Sequence, residues 1–203
     1  MVYYPTMFDI VQLIEWGGLV GITSIVFAEC GLFFGFFLPG DSLLFTAGFL
    51  AAQELLPIWS LLVILPIAAI LGELVGYLFG KQVGERLFTR TESRFFHPDH
   101  VTRAHEFFLR HGNKAIFLAR FIPIIRTFVP IVAGVAHMPF RAFMIYNIAG
   151  ALAWAGGITA LGYLLGTSVP NAEQYLHVII IAIIVVSFLP ALWEWKRAGH
   201  HQR

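Results

Sequence analysis

The sequence predicts an all-α integral membrane protein, an inverted repeat of a re-entrant hairpin plus a transmembrane helix, with amphipathic and C-terminal helices added. Three observations predict it. Apolar residue types make up 58% of the 203 residues and charged types 12%, against about a quarter charged in soluble domains. The basic residues gather in two places. Proline-broken apolar stretches recur along the chain at a fixed offset. This apolar content exceeds what a soluble domain of this length hides, so the bilayer is the expected solvent.

The elements follow in order within a single domain spanning 1–203. Residues 8–30 form a first helix, whose start is polar at Asp9, Gln12 and Glu15. Spanning and interfacial placements both stay open for it. Residues 31–52 form re-entrant hairpin 1, because Leu38-Pro39-Gly40-Asp41 interrupts an otherwise apolar stretch. Residues 58–80 cross the bilayer, and 81–114 form a cytoplasmic amphipathic segment. Seven of the thirteen basic residues lie there, between Lys81 and Lys114, and such residues collect on the cytoplasmic side. The segment mixes this charge with Phe88, Phe95, Phe96, Phe107 and Phe108, the composition of a helix lying against anionic lipid.

Residues 115–136 then pose a choice, since 140–166 and 172–193 follow as further apolar crossings. Three crossings would put Lys196, Arg197 and Arg203 outside. A segment that enters and turns back keeps both basic regions in the cytoplasm. Pro123 and Pro130 break 115–136, and Arg120 and Arg126 flank Pro123. Broken, charged backbone survives at membrane depth only when buried in protein or lining a wet cavity. Residues 115–136 are therefore read as re-entrant hairpin 2. The hairpin tips are assigned to Pro39, Gly40 and Pro123.

The halves repeat. Ala47-Gly48 recurs as Ala133-Gly134, and Gly76-Tyr77-Leu78-Phe79-Gly80 recurs as Gly162-Tyr163-Leu164-Leu165-Gly166, both at an offset of 86. Phe37-Leu38-Pro39 parallels Phe121-Ile122-Pro123 at an offset of 84. Hairpin 1 opens outward and hairpin 2 inward. Inverted repeats of interrupted helices that meet near the midplane mark secondary transporters, although channels and inert scaffolds use them too.

Intramembrane charge narrows the choice. Glu29, Asp41, Arg120 and Arg126 sit at or beside the tips, where each costs about 2.5–3.5 kcal/mol on insertion scales. One reading is an ion-pair lock between hairpins. The favoured reading is functional. Arg120 and Arg126 present planar forks suited to phosphate. Helix N-termini after Pro39 and Pro123 add amides to an anion site. Carboxyl groups held in an apolar setting can take up protons, which makes Glu29 and Asp41 candidate proton carriers. Glu73 is either a third proton group or an interfacial charge. Asn147, Gly150, Ala151 and Trp154 share one helical face. Small-residue packing accounts for Gly150 and Ala151, and Asn147 is a candidate substrate contact.

Other chemistries find little support. The net charge of +1 argues against a nucleic-acid partner, which wants a dense basic face. His97, Asp99, His100, His105 and His111 lack a tight metal-ligand pattern, and no cofactor is expected. No Ser-His-Asp order, P-loop or dinucleotide motif occurs, so an enzyme is not expected. Cys30 is the single cysteine and forms no intrachain disulfide. A cleavable signal peptide is not expected, since no basic residue precedes Lys81.

Taken in order, Glu29, Phe37-Leu38-Pro39-Gly40-Asp41, Ala47-Gly48, Gly72-Glu73-x-x-Gly76-Tyr77-x-x-Gly80, Arg120-Phe121-Ile122-Pro123-x-x-Arg126, Ala133-Gly134 and Asn147-x-x-Gly150-Ala151-x-x-Trp154 resemble the DedA family, also described as SNARE-associated or VTT-domain membrane proteins. The resemblance spans roughly residues 20–166. It implies a bacterial cytoplasmic (inner) membrane protein, multi-pass with a cytoplasmic C-terminus, similar to undecaprenyl-phosphate translocases. Eukaryotic relatives resemble phospholipid scramblases. The family's important acids match Glu29 and Asp41, and its important arginines match Arg120 and Arg126. Dependence on the proton-motive force is also implied. One departure is Ile124, where many members carry glycine, and it is expected to stiffen the second tip. The expected function is thus a lipid flippase, with a lipid phosphate, protons and the bilayer as partners. A proton-coupled ion exchanger and a scramblase are the alternatives, and a homo-oligomer stays open.

Overall fold

A computed structural model describes residues 7–31, 40–83 and 98–168, and the tip residue Pro39 and the predicted crossing at 172–193 lie outside them. Among the described residues all regular structure is helical. The helices are α1 (Met7–Gly31), α2 (Gly40–Ala52), α3 (Ile58–Val83), α4 (Pro98–His111), α5 (Ala115–Ala119), α6 (Pro123–Val135), α7 (Phe140–Ala151) and α8 (Gly157–Ser168). A π-helical turn, Leu152–Gly156, joins α7 to α8. Among the described residues two helices are long and apolar enough to cross a membrane, Ile58–Gln82 and Phe140–Ser168.

Helix α3 shows how the sequence sorts its faces. Leu61, Leu65, Ala69, Glu73 and Tyr77 fall at four-residue steps and are buried. Trp59, Val63, Ile67, Leu71, Val75 and Leu78 remain exposed. The outward face is therefore as apolar as the inward one, the arrangement lipid favours and water does not. Two apolar cores divide the length of α3. Leu61, Leu65, Ala68 and Ala69 belong to one, with Trp154 and Ala155. Tyr77 belongs to the other, with Phe128, Val129 and Phe143. Glu73 falls on the same buried stripe between them.

The repeat seen in the sequence governs the packing. Arm α2 lies along α8, and arm α6 lies along α3. Each arm thus packs on the long helix of the other repeat. Glycines set both contacts. A Cβ on Gly48 would overlap the Thr159 carbonyl, and one on Gly134 would overlap the Tyr77 carbonyl. Gly162 and Gly80 make the matching approaches from the long helices, to Phe45 and Ile131. Small residues that let backbones touch are the usual means of holding helices together in lipid.

Both arms also end alike. Leu55 N–H donates to Leu50 O at 3.1 Å and Glu54 N–H to Ala51 O at 3.1 Å. Met138 N–H donates to Ala133 O at 3.0 Å and His137 N–H to Gly134 O at 3.0 Å. These are two Schellman caps. Their left-handed positions hold Glu54 at φ 62° and His137 at φ 52°, residues that carry a Cβ. A proline, Pro57 or Pro139, then leads into the long helix. The caps recur at an offset of 83 rather than 86. The second arm is three residues shorter between Gly134 and its cap than the first is between Gly48 and its cap, and the three residues return between His137 and Gly162, the stretch that contains the π-helical turn. Left-handed backbone costs an L-residue about 1–2 kcal/mol. His137→Gly is accordingly expected to stabilise the fold by about 1 kcal/mol, read as a higher melting temperature of the purified protein.

Helix α4 is the largest described part of the 81–114 segment. Its apolar side, with Ala104 buried and Phe107 and Phe108 half-buried, packs against protein at α6, while Arg103, Glu106 and Arg110 face out. The apolar side of α4 is thus largely occupied by the second arm.

Candidate functional site

Between the two cores lies a layer of charge built from four elements. Glu29 comes from the end of α1, Asp41 from the first turn of α2, Glu73 from α3, and Arg126 from the first turns of α6. Arg120 sits in the break between α5 and α6. Pro123 starts α6 well, because its missing N–H is one a first helical turn leaves unpaired anyway. The break at 120–122 places two arginines six residues apart against different partners.

Arg126 joins both acids of the first repeat. It is paired with Glu29, and its Nη1 lies 3.3 Å from Asp41 Oδ1. Glu29 is 1% exposed and Arg126 8%, whereas the Asp41 side chain is 53% exposed. The Glu29 carboxylate lies against Gly40, where a Cβ would overlap it. Glu29 therefore takes the start of α2, the positive end of that helix. Glycine at position 40 is what makes room for it.

Arg120 does not join these acids. Its Nη2 lies 3.1 Å from Glu73 Oε2 and donates to Asn147 Oδ1 at 2.7 Å. It also reaches the Ala69 carbonyl at 3.5 Å. Asn147 in turn donates to Ile70 O at 3.2 Å. Gly150 gives the guanidinium arm its space, since a Cβ there would come within 2.8 Å of Arg120 Cδ. Arg120 is 2% exposed, Glu73 3% and Asn147 fully buried. Glu73 thus lies inside the charged layer, buried in protein. The four-residue stripe of α3 carried that information, because Glu73 follows Ala69 by one turn.

Trp154 links the two groups and was not singled out as a site residue in the sequence. Its indole N–H donates to Asp41 Oδ1 at 2.7 Å. The Arg126 and Arg120 guanidinium carbons lie 5.0 and 5.9 Å from its ring centroid, within the range of cation–π attraction. Trp154 lies on the π-helical turn, a distortion frequent at functional sites. Its face, shared with Asn147 and Gly150, was the available signal. The ring's double duty as N–H donor and cation platform was not legible from spacing.

Two guanidiniums thus face three carboxyls. Among the described residues, Arg120 Nε and Nη1 and Arg126 Nε are buried without a hydrogen-bond partner. Glu29 Oε2 and Glu73 Oε2 are likewise buried without a hydrogen-bond partner, although Glu73 Oε2 is ion-paired with Arg120, so the layer holds spare donors and spare acceptors alike, and the spare N–H groups are of the kind that bind an anion.

Comparisons with known proteins show what the chain is similar to. The VTT domain matches residues 38–164. The chain is 46% identical to Protein DedA of Escherichia coli K12 over 172 residues, 84% of this chain and 78% of that protein. It is 46% identical to an uncharacterised membrane protein of Mycobacterium leprae over 177 residues, 86% of this chain and 79% of that protein. A third relative, an uncharacterised membrane protein of Mycobacterium tuberculosis H37Rv, is 45% identical over 188 residues, 91% of this chain and 82% of that protein. No solved structure matches the chain.

Proposed function

The chain belongs to the DedA family of VTT-domain membrane proteins, and from that premise we propose that it carries a lipid phosphate across the bacterial cytoplasmic membrane, with undecaprenyl phosphate the leading substrate. The observation that carries the proposal is Arg126, a guanidinium more than nine-tenths buried and bridging Glu29 and Asp41. Such a group suits a phosphomonoester, which accepts paired N–H donors. Arg120 and Asn147 complete the head-group site, and the lipid tail stays in the bilayer.

Charge balance ties the anion to protons. With every group ionised, Glu29, Asp41 and Glu73 already outnumber Arg120 and Arg126. An incoming phosphate adds negative charge to a layer of low dielectric, where unlike charges must balance closely. Proton uptake by the acids restores the balance and releases the arginines. Glu29, Asp41 and Glu73 are accordingly assigned to proton coupling. In this reading the two repeats lie in opposite orientation, their arms are re-entrant, and the C-terminus is cytoplasmic. Alternating exposure of the charged layer would then follow the pattern of inverted-repeat carriers.

The experiment is reconstitution of the full chain in liposomes carrying a fluorescent polyprenyl phosphate, followed by chemical quenching of the outer leaflet. The proposal expects faster inversion of the polyprenyl phosphate than in empty liposomes, accelerated by a pH gradient. The matching polyprenol, which lacks the phosphate, is expected to show no acceleration. Equal acceleration of the polyprenol and phosphatidylcholine would instead favour a scramblase. Proton flux driven by cations without lipid would favour an ion exchanger.

A further inference from the structure

One oxygen in the charged layer has an unusual pair of partners. Asp41 Oδ1 accepts from Trp154 Nε1 at 2.7 Å and from Arg126 Nη1 at 3.3 Å. Both donors belong to buried residues, Trp154 at 2% exposure and Arg126 at 8%. The acid that receives them is half exposed. A neutral donor and a charged one converge on an acceptor that is free to leave. Arg126 keeps Glu29 as a partner when it does, and its buried Nε has no hydrogen-bond partner among the described residues. The Trp154 ring holds the guanidinium in place by cation–π attraction.

We propose that Trp154 is a head-group-binding residue and that the Asp41 carboxylate is an internal stand-in for the phosphate. When Asp41 swings away, the indole N–H and Arg126 Nη1 are left aimed at one point, where a phosphate oxygen takes the place of Asp41 Oδ1. Two donors on one oxygen select a phosphomonoester over an alcohol or a neutral head group, because losing either donor's partner on burial is costly. Carboxylate and phosphate then compete for one pair of donors, and release of Asp41 admits the substrate. Indole is suited to this place, since it donates without accepting and so repels no anion lone pair with one of its own. The inference rests on the lipid-phosphate reading and adds Trp154 and the displacement of Asp41 to it.

The test is binding of farnesyl phosphate, farnesol and inorganic phosphate to the purified full chain in detergent, with melting temperature measured in parallel. Wild type is expected to bind farnesyl phosphate and not farnesol. Trp154→Phe, which keeps a ring and removes the N–H, is expected to weaken farnesyl phosphate binding about tenfold, as loss of a hydrogen bond to a charged group does. Asp41→Ala, which removes the competitor, is expected to tighten it about tenfold in the same terms. The double variant is expected to lose that gain. Inorganic phosphate is expected to follow the same order more weakly, since it lacks the tail. Unchanged affinity in Trp154→Phe, or weaker binding in an Asp41→Ala protein of wild-type melting temperature, overturns the role of Trp154 and leaves the lipid-phosphate reading standing. Failure of both wild type and Asp41→Ala to prefer farnesyl phosphate over farnesol overturns that reading and the inference with it.

Discussion

Arg126→Met is expected to destabilise the protein by about 3–5 kcal/mol, the cost of leaving one partner of a buried ion pair uncompensated. Glu29 is the reason. It is 1% exposed, and without the guanidinium it faces only the start of α2. The melting temperature should fall by roughly 10 °C for a chain of this size. Asp41→Ala should cost far less, about 1 kcal/mol or under, because the Asp41 side chain is half exposed and water replaces its contacts. Glu29→Gln placed in the Arg126→Met background should recover a large part of the loss, since it removes the buried charge that the first change strands. An Arg126→Met protein as stable as wild type would show that the pair does not hold α1 to α6.

Gly134→Ala is the second change with a large expected effect, about 3 kcal/mol. One methyl group meets the Tyr77 carbonyl and crowds the Lys81 amide, both of them backbone atoms. A side chain could turn aside; a helix backbone cannot. Helices α3 and α6 must separate along their length, which places the cost at the upper end for overpacking. Gly48→Ala meets the Thr159 carbonyl in the other repeat and should cost about as much. Gly21→Ala is the control. Nothing lies within 4 Å of its Cβ position, so the change should stabilise α1 by about 0.5–1 kcal/mol through propensity alone. Thermal unfolding in one detergent compares all three. Similar melting temperatures for Gly134→Ala and Gly21→Ala would contradict the close approach of the arms.

The glycines also mark how far the sequence could be read. Gly48, Gly80, Gly134, Gly162 and Gly166 marked the repeat by their spacing and recurrence, and each meets a neighbouring helix at close range. They did not announce the partner. A glycine lets any backbone come near, so the crossing of each arm to the other repeat's helix needed three dimensions to settle. The charged residues behaved similarly. Glu29, Asp41 and Arg126 were legible as a group because broken apolar stretches brought them to one level. Arg120 was expected beside the same acids and pairs with Glu73 instead, 47 positions away. Both pairings satisfy the same demand for a buried counter-charge, and no local pattern distinguishes them. The four-residue stripe Leu61, Leu65, Ala69, Glu73, Tyr77 was the cue that favoured Glu73 as interior. The π-helical turn had no cue of its own, since Leu152–Gly156 contains neither proline nor a polar insertion.

The stand-in role of Asp41 gives the charged layer a chemical logic that an ion-pair lock lacks. A lock is best served by acids that cannot leave. Here one acid is fixed at a helix start and the other is half exposed, and the exposed one shares its acceptor oxygen between an arginine and a tryptophan. That division fits a site that must keep its arginine oriented while exchanging what the arginine holds.

The most direct test of the account is the rate at which a fluorescent polyprenyl phosphate changes leaflet in liposomes holding equal amounts of folded wild-type and Arg126→Lys protein. Lysine keeps the charge that Glu29 needs and removes the planar fork that grips a phosphate. The account predicts that Arg126→Lys retains a folded melting transition and loses at least about tenfold in rate, a difference of about 1.4 kcal/mol in barrier. Equal rates for the two proteins would contradict it.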